Sequence, residues 1–324
     1  MTSHPLYMLT ADELAGLTGL PVQDVLQAFD DQDCLKFSSG AVGIPPQHVK
    51  CYLSAHGMQY RPTIVAHINL KGGTGKTTST ITAATRAVQY GFTTCIVDMD
   101  SQGSASLAFH LMPDADEPIF CDVWQRPDDM VMDAIKPIQE MLSILPSSLE
   151  NGLLDVQLMN PGAQKNAVRG VCNVLTSQGF DLVLIDCPPS LGTAVISTIC
   201  AADIIVIPVC GDPFSLKGLE LTLNEIASIC DTFQLAEPKI RILYTQFDKR
   251  IKLSLETYQQ LSAKYREYLI PTPIRTSSEF SKVLKKGRTV FASTRKSIAK
   301  EDYDSYLKHL LGMEKPLNTE RLQP

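Results

Sequence analysis

Two lysines, three glycines and three threonines stand together in one short run, Lys71-Gly72-Gly73-Thr74-Gly75-Lys76-Thr77-Thr78. Glycines let backbone N–H groups turn towards a bound phosphate. A lysine and a hydroxyl placed directly after them supply a phosphate contact and a Mg²⁺ ligand, and a helix that begins there adds positive potential. Lys76 and Thr77 occupy those two places. The run therefore predicts a loop that cradles the phosphates of a nucleotide.

Three aspartates complete the set of residues that could perform phosphate chemistry. Asp98 and Asp100 end one apolar run, and period-two alternation puts both on the same side of a strand. Asp186 ends another apolar run, where a carboxylate can hold a Mg²⁺-bound water. We expect Thr77, Asp98 and Asp186 to surround the metal, with water as the default phosphoryl acceptor.

The elements that must position these residues form a regular alternation. Short β-branched runs are separated by stretches long enough for crossover helices, and they occupy residues 63–70, 93–99, 181–187, 203–209 and 240–246. The alternation predicts an α/β fold with a doubly wound, mostly parallel sheet covered by helices on both faces. Clustered Asp, Glu and Pro in residues 110–135 predict a loop with a short helix.

Residues 1–60 differ from this pattern and predict a small, all-α unit that resembles a helix-turn-helix. Thr10 and Glu13 form a capping-box pattern, Gly19 ends that helix, and Pro21 begins the next. A third helix begins at Pro45-Pro46. We place a domain boundary near residue 61, which divides the chain into units 1–60 and 61–324.

The phosphate loop departs from the common pattern, because Leu70 stands where a glycine is usual and Lys71 follows it. In this form it resembles the deviant Walker A loop of the ParA/MinD family of P-loop ATPases. Two further segments are similar to family motifs in the same order: Asp98-Met99-Asp100-Ser101-Gln102-Gly103, with Ser101 in place of the usual proline, and Ile185-Asp186-Cys187-Pro188-Pro189-Ser190. The resemblance covers about residues 62–312.

This resemblance implies a Mg²⁺-dependent ATPase that forms an ATP-sandwich dimer. It implies that Lys71 reaches the nucleotide of the other subunit and that Asp100 positions or activates the attacking water. Residues 243–252 resemble a further family segment, which adds Gln246 to the nucleotide site. Residues 271–279 resemble the loop near the adenine, where Pro273 is a candidate for packing on the base.

The distribution of charge points to a second ligand. The whole chain has a net charge of −6, but residues 239–300 hold 15 of its 29 basic residues and only four acidic ones. Lys282, Lys285 and Lys286 stand at i, i+3 and i+4, so we expect them to share one helix face, and their mutual repulsion favours a polyanion there. The absence of interleaved aromatics favours contact with the backbone of a duplex. The family resemblance implies that this DNA is bound without sequence preference, through Lys249, Arg250, Lys252, Lys282, Lys285, Lys286, Arg288, Arg295 and Lys296.

Family resemblance then implies a cytoplasmic, nucleoid-associated dimer whose ATPase is stimulated by a ParB-like adaptor, so that a plasmid, chromosome region or protein cargo is moved. No apolar run approaches the ~20 residues of a membrane span. The main alternative is a membrane- or scaffold-associated, MinD-like ATPase, which residues 307–316 disfavour because Gly312 and Pro316 interrupt them. A metal-cluster carrier of the nitrogenase iron-protein type is disfavoured because the nine cysteines form no C-x-x-C pair.

The N-terminal unit leaves two interpretations. Residues 1–60 contain six acidic residues and two basic ones, Lys36 and Lys50, which is a poor balance for binding phosphates. We therefore favour a role in dimerisation or partner docking. Specific operator binding, as helix-turn-helix units attached to some partition ATPases perform it, is the second interpretation.

Overall fold

A computed structural model describes residues 6–314 of the chain. Its centre is a seven-stranded sheet with strand order β10-β9-β4-β8-β5-β7-β6. Every neighbouring pair in the sheet is parallel except β6 and β7, which form an antiparallel hairpin at one edge. These strands are β4 (Thr63–His67), β5 (Thr94–Asp98), β6 (Lys136–Gln139), β7 (Leu142–Leu145), β8 (Leu182–Asp186), β9 (Ile204–Cys210) and β10 (Lys239–Thr245).

Helices cover both faces of this sheet, as the alternation of apolar runs predicts. On one face, Val97, Ile185 and Ile207 point into a core shared with the helices that follow β7, β8 and β9. On the other, Val65, Ile96 and Leu184 point into a core shared with the helix after β4 and the last helix of the chain. The helices after the N-terminal segment are α4 (Lys76–Gln89), α5 (Ser104–Ala108), α6 (Phe120–Val123), α7 (Pro127–Ala134), α8 (Leu154–Gln157), α9 (Pro161–Ser177), α10 (Thr193–Ala201), α11 (Ser215–Phe233), α12 (Lys252–Lys264), α13 (Glu279–Leu284) and α14 (Ile298–Leu311).

The N-terminal segment contains the expected helices but is not all helical. Its elements are β1 (Leu9–Thr10), α1 (Ala11–Thr18), α2 (Val22–Gln27), β2 (Leu35–Lys36), β3 (Val42–Ile44) and α3 (Pro46–Ala55). The capping box of Thr10 and Glu13 and the left-handed Gly19 bound α1, in agreement with the sequence pattern. The three strands form an antiparallel sheet in the order β1-β3-β2, so the all-α expectation is wrong. Gly40, at φ 83°, allows the tight turn between β2 and β3.

This N-terminal segment packs directly on the rest of the chain. The ammonium of Lys50 in α3 donates to Asp181 (2.6 Å) and to Thr93 (3.1 Å), which lie at the start of β8 and β5. The Tyr60 hydroxyl donates to the backbone oxygen of Tyr90 (2.9 Å), just after α4. The apolar side chains of α1 and α3 belong to the same core as α4 and α14. Residues 6–60 therefore complete one face of the sheet.

A buried arginine forms a second connection between these parts. Arg86 in α4 is almost fully buried, and its guanidinium contacts Glu13 of α1 (3.0 Å) and Asp304 of α14 (2.7 Å). Burial alone would lower the pKa of the guanidinium, but the two carboxylates and Tyr90 raise it. The arginine stays charged and holds three elements of the second core together.

All five strands that the sequence predicts are present as β4, β5, β8, β9 and β10. The hairpin of β6 and β7 was not predicted, because its strands have four residues each and too short an alternation to distinguish them from a loop. Within residues 6–314, no helix has both the length and the apolar composition that crossing a bilayer requires.

Gly91 tests the contact between α3 and the turn after α4. A Cβ at Gly91 would lie 2.7 Å from the Lys50 Cα, and the residue has φ 82°; Gly57 has a similar φ of 89° with nothing within 4 Å. We expect Gly91→Ala to lower the free energy of unfolding by about 2–4 kcal/mol and Gly57→Ala by about 1 kcal/mol, because only the first adds a clash to the backbone strain. Urea unfolding measures both. Equal losses would contradict the close packing.

Candidate nucleotide site

The predicted phosphate loop lies between β4 and α4, at the carboxyl edge of the sheet. The ammonium of Lys76 is buried and donates to the backbone oxygens of Asn69 (3.1 Å) and Lys71 (3.0 Å), two carbonyls of its own loop. Burial lowers the pKa of Lys76, and the nearby carboxylate of Asp186 opposes that shift. The lysine therefore sits at the centre of the loop with its positive charge directed at the space that the loop encloses.

Two glycines give the loop its curvature. Gly73 and Gly75 have φ of 73° and 91°, values that side chains with a Cβ rarely adopt. The end of β10 supports the loop from the side: the Thr245 hydroxyl donates to the backbone oxygen of Thr74, and the Gln246 amide donates to that of Gly73, both at 2.7 Å. Gln246, predicted as a nucleotide contact, thus holds the loop in this structure, at a strained φ of 54°.

The remaining predicted nucleotide contacts lie around this loop. Gly72 is exposed, Thr77 and Thr78 lie in the first turn of α4 and are half-buried, and Thr74 is buried. Pro273 is half-buried, and the residue after it donates its N–H to the backbone oxygen of Tyr244 (2.8 Å). The segment of Pro273 therefore runs alongside the end of β10, next to the residues that hold the loop.

Lys71 contacts an acidic residue that the sequence analysis did not identify. Its ammonium lies 2.6 Å from the Oδ1 atom of Asp212, in the loop between β9 and α11. Burial acts to raise the pKa of Asp212, but hydrogen bonds from Lys71 and Ser215 outweigh it and lower the pKa to about 2. Asp212 is therefore a carboxylate at neutral pH, and Lys71 has a charged partner within its own chain.

Two of the predicted metal ligands stand side by side. Asp98 and Asp186 end the adjacent parallel strands β5 and β8, are paired in register, and are both fully buried. The Asp98 carboxylate accepts hydrogen bonds from the Ser106 N–H (2.9 Å) and hydroxyl (2.7 Å) and from the Asp100 N–H (3.2 Å). Burial outweighs these bonds and raises the pKa of Asp98 to about 6.

Asp186 is less well satisfied than its neighbour. Its Oδ1 atom is 3.5 Å from the Thr80 hydroxyl, and its Oδ2 atom is buried with no hydrogen-bond partner among the described residues. Burial and the charge of Asp98 raise its pKa well above the usual range, and the nearby Thr77 hydroxyl and the charge of Lys76 oppose that shift. An unpartnered buried carboxylate oxygen is costly, and a bound cation would satisfy it.

The residues present fit a magnesium ion that is completed by other ligands. Thr77 lies near Asp186, and both offer the oxygen atoms that Mg²⁺ prefers. Within residues 6–314, no group of three or more His, Cys, Asp or Glu side chains forms a metal site by itself. Phosphate oxygens and water would therefore complete the coordination, as is usual for Mg²⁺ at phosphates. Both carboxylate oxygens of Asp98 already accept hydrogen bonds from the protein, and Asp98 lies at one side of this possible magnesium site.

Asp100 lies two residues beyond the end of β5, close to this acidic pair. Its Oδ1 atom accepts the Gln102 N–H (3.0 Å), and its backbone oxygen accepts the Ser147 hydroxyl (2.7 Å). Because it is half-exposed, its carboxylate is accessible to water on the open side of the site. The structure thus brings Lys76, Thr77, Asp98, Asp100 and Asp186 together at one edge of the sheet.

Sequence analysis missed several residues that support this arrangement. Asn69 donates its amide to the Pro208 backbone oxygen (2.6 Å) and accepts the Lys71 N–H (2.9 Å), so it ties the loop to β9. Ser106 and Asp212 support Asp98 and Lys71. Each of the three follows a strand of the observed sheet by at most eight residues. Position after a strand of the sheet was the signal available, since ligands bind at that edge.

Comparison with known proteins adds independent findings. Residues 62–242 match the AAA_31 family model, described as an AAA domain. The cell division protein PomZ of Myxococcus xanthus is 28% identical over 75% of this chain and 76% of its own. The chromosome partitioning protein ParA of the same organism is 24% identical over 80% of this chain and 91% of its own. Cobyrinic acid a,c-diamide synthase from Mycobacterium smegmatis, solved with an ATP analogue and magnesium, shares the fold: the TM-score is 0.65 at 23% identity, over 77% of this chain and 94% of that one.

Asp186→Asn tests the cost of the buried carboxyl pair. A carboxyl whose pKa is raised on folding contributes stability below its unfolded pKa of 3.8, and that contribution is lost as pH rises through the folded pKa. Without nucleotide, we therefore expect the variant to melt a few degrees above the wild type at pH 8, with a gap that narrows towards pH 4. Asp128→Asn, an exposed control, should show no such pH dependence. A variant that melts below the wild type at pH 8 would contradict this account.

Lys76→Ala tests the phosphate loop. Because it removes the only ammonium that the described loop buries at its centre, we expect binding of a fluorescent ATP analogue to fall at least about 100-fold, the scale of a missing charge-assisted hydrogen bond. Lys50→Ala removes a lysine that is ion-paired with Asp181 at the other edge of the sheet, and this variant should bind the analogue normally. Unchanged affinity in Lys76→Ala would refute the site.

Proposed function

Because this chain belongs to the AAA_31 family and is a ParA/MinD-type P-loop ATPase, we propose that it dimerises around ATP, binds DNA without sequence preference and leaves it after hydrolysis. The observation that carries the proposal is that the phosphate loop with Lys71 and Lys76 lies at the carboxyl edge of the sheet, where β5 and β8 place Asp100 and Asp186. It is a partition or positioning ATPase, and its cargo is a plasmid, a chromosome region or a protein assembly.

The catalytic part of the proposal assigns a role to each group at this edge. Lys76 and the N–H groups of residues 72–77 would bind the β- and γ-phosphates, and Thr77 and Asp186 would hold Mg²⁺. The ion, when bound, neutralises charge on the phosphate oxygens. Asp100 would orient a water for attack on the γ-phosphorus, with ADP as leaving group and phosphate as product. Positioning and charge neutralisation suffice for such a transfer, so no covalent nucleophile is required.

Exposure of the basic residues supports the DNA part. All nine of the predicted DNA contacts are exposed, namely Lys249, Arg250, Lys252, Lys282, Lys285, Lys286, Arg288, Arg295 and Lys296. Helix α13 ends at Leu284, which is earlier than the lysine spacing suggested, but Lys285 keeps helical backbone angles. The shared helix face of Lys282 and Lys285 therefore remains, whereas Lys286 lies in the following turn.

The nine residues are not equivalent. Arg250 is paired with Asp248 (2.6 Å), and Lys252 lies 3.5 Å from Glu256, so these two charges are partly neutralised within the chain. No ion pair within the described residues involves Lys282, Lys285, Lys286 or Arg288. We assign the main contact with the phosphate backbone of DNA to residues 282–288.

The membrane-associated alternative is less well supported. An amphipathic anchor must expose its apolar side chains, but Leu307 and Leu310 of α14 are buried in the protein core. Lys315 and Pro316 of the same predicted segment lie outside the described residues. We therefore propose a cytoplasmic, nucleoid-associated protein that a ParB-like adaptor stimulates, in keeping with the name of the chromosome partitioning relative.

For the N-terminal unit, dimerisation or partner docking remains our proposal. Its acidic residues Asp24 and Asp30 lie on or next to α2, the second helix of the helix-turn-helix pattern, where a DNA reader would need basic groups. Operator binding is the alternative. Titration of an operator fragment against the full chain and against a variant with Asp24→Lys separates them, because only a DNA reader gains sequence-specific affinity from the added charge.

Asp100→Ala tests the role in hydrolysis. We expect ATP hydrolysis to fall about 100-fold or more, the scale of a lost general base, while ATP binding and DNA binding persist, because Asp100 would act only on the water. Single-turnover hydrolysis and DNA co-sedimentation measure the two properties. Asp114→Ala removes an exposed carboxylate elsewhere and should behave as the wild type. Release from DNA with ATP still bound would contradict the assignment.

Charge reversal tests the DNA surface. For the double variant Lys285→Glu with Lys286→Glu, we expect binding to non-specific duplex DNA to weaken by about ten-fold or more. The slope of log affinity against log salt should become shallower by about one unit for each DNA phosphate that is no longer neutralised. Basal ATPase activity should stay unchanged. The control, Arg61→Glu with Lys264→Glu, changes the total charge equally at exposed residues outside the nine. Equal weakening in both variants would show that only total charge matters.

A further inference from the structure

The pairing of Lys71 with Asp212 is not explained by phosphate binding. Lys71 belongs to the phosphate loop, yet its ammonium lies 2.6 Å from an aspartate on a different element. Strand β9 neighbours β4 in the sheet, so the loop after β9 emerges beside the phosphate loop. The two residues thus meet across adjacent loops at the edge where the nucleotide would bind.

Asp212 is fixed by its own loop, whereas Lys71 is attached by a flexible stem. The Asp212 carboxylate accepts hydrogen bonds from the Phe214 N–H (3.0 Å), the Cys210 thiol (3.3 Å) and the hydroxyl of Ser215, the first residue of α11. These three donors lie within three residues of Asp212. The Lys71 side chain is 43% exposed and has four rotatable bonds. Of the two partners, only the lysine can move without disturbing other contacts.

We propose that Asp212 is a positioning residue that holds Lys71 in the nucleotide-free protein and releases it to the phosphates of ATP. The inference rests on the proposed function, because it assigns regulation to the same site. A triphosphate carries several negative charges against one on Asp212, so it attracts the ammonium more strongly. Before ATP binds, Asp212 neutralises the charge of Lys71. The other lysine of the loop, Lys76, is hydrogen-bonded to backbone carbonyls of the loop itself.

Two energetic consequences follow from this competition. Binding of ATP must break the ion pair, so the pair lowers the affinity for ATP. Removal of the carboxylate should therefore strengthen ATP binding about two- to five-fold, the range that a partly exposed ion pair supplies. The gain must depend on Lys71, since the release of that ammonium produces it.

A double-mutant cycle tests this dependence. The Kd of a fluorescent, hydrolysis-resistant ATP analogue with Mg²⁺ is measured for the full-length wild type, Asp212→Asn, Lys71→Met and the double variant. We expect Asp212→Asn to bind two- to five-fold more tightly and most of that gain to disappear in the Lys71→Met background. Asp212→Glu should restore wild-type affinity, because it restores the charge. Ser215→Ala, which removes a different donor to Asp212, should change the Kd less than two-fold.

An equal gain in ATP-analogue affinity with Lys71 present and with Lys71→Met would show simple repulsion between Asp212 and phosphate and would overturn the inference. So would an unchanged Kd in Asp212→Asn while the wild type binds the analogue. A wild type that does not bind overturns the proposed function as well. If Asp212→Asn loses its thermal unfolding transition, Asp212→Ser replaces it in the cycle, since serine keeps a side-chain oxygen near the Phe214 N–H without the charge.

Discussion

The adjacent burial of Asp98 and Asp186 is the constraint on which the rest of the site depends. Parallel pairing of β5 with β8 puts the two carboxyl groups side by side at the end of the sheet, out of contact with solvent. Two such groups cannot both ionise cheaply, and their raised pKa values express that cost. Lys76 is the nearby cation that the loop supplies. A fold that retains this arrangement sacrifices stability for a place where a cation binds.

In this structure, both lysines and the backbone of the phosphate loop are bonded to other groups of the protein. Lys76 bonds to loop carbonyls, Lys71 to Asp212, and Thr245 and Gln246 hold the backbone from β10. Nucleotide binding must therefore exchange protein oxygens for phosphate oxygens at both lysines. The segments that follow β9 and β10 take part in these contacts. A change of bonding partner at the two lysines would therefore act on α11, which follows β9, and on the segment after β10 that precedes the basic residues 249–252.

Most of the sheet and the chemistry-bearing residues could be predicted from the sequence, and the reasons are local. Strands such as β8 are continuous apolar runs, and the loop residues 71–78 form an uninterrupted motif. Contacts across the fold could not be predicted in that way. Asp212 lies 141 positions from Lys71 in the sequence. The strands on either side of the turn at Gly40 have only two or three residues, which is too short for a recognisable alternation. The docking of α3 on Asp181 likewise depends on tertiary packing alone.

The central claim is that the buried carboxyl pair awaits a cation that arrives with the nucleotide. Titration of preformed Mg²⁺–ATP into the protein at pH 6, in buffers of different ionisation enthalpy, measures the protons exchanged on binding. Since the pKa of Asp98 is about 6 and that of Asp186 is raised, we expect the wild type to release protons and Asp186→Asn to release fewer. The same proton exchange in both proteins would contradict the account.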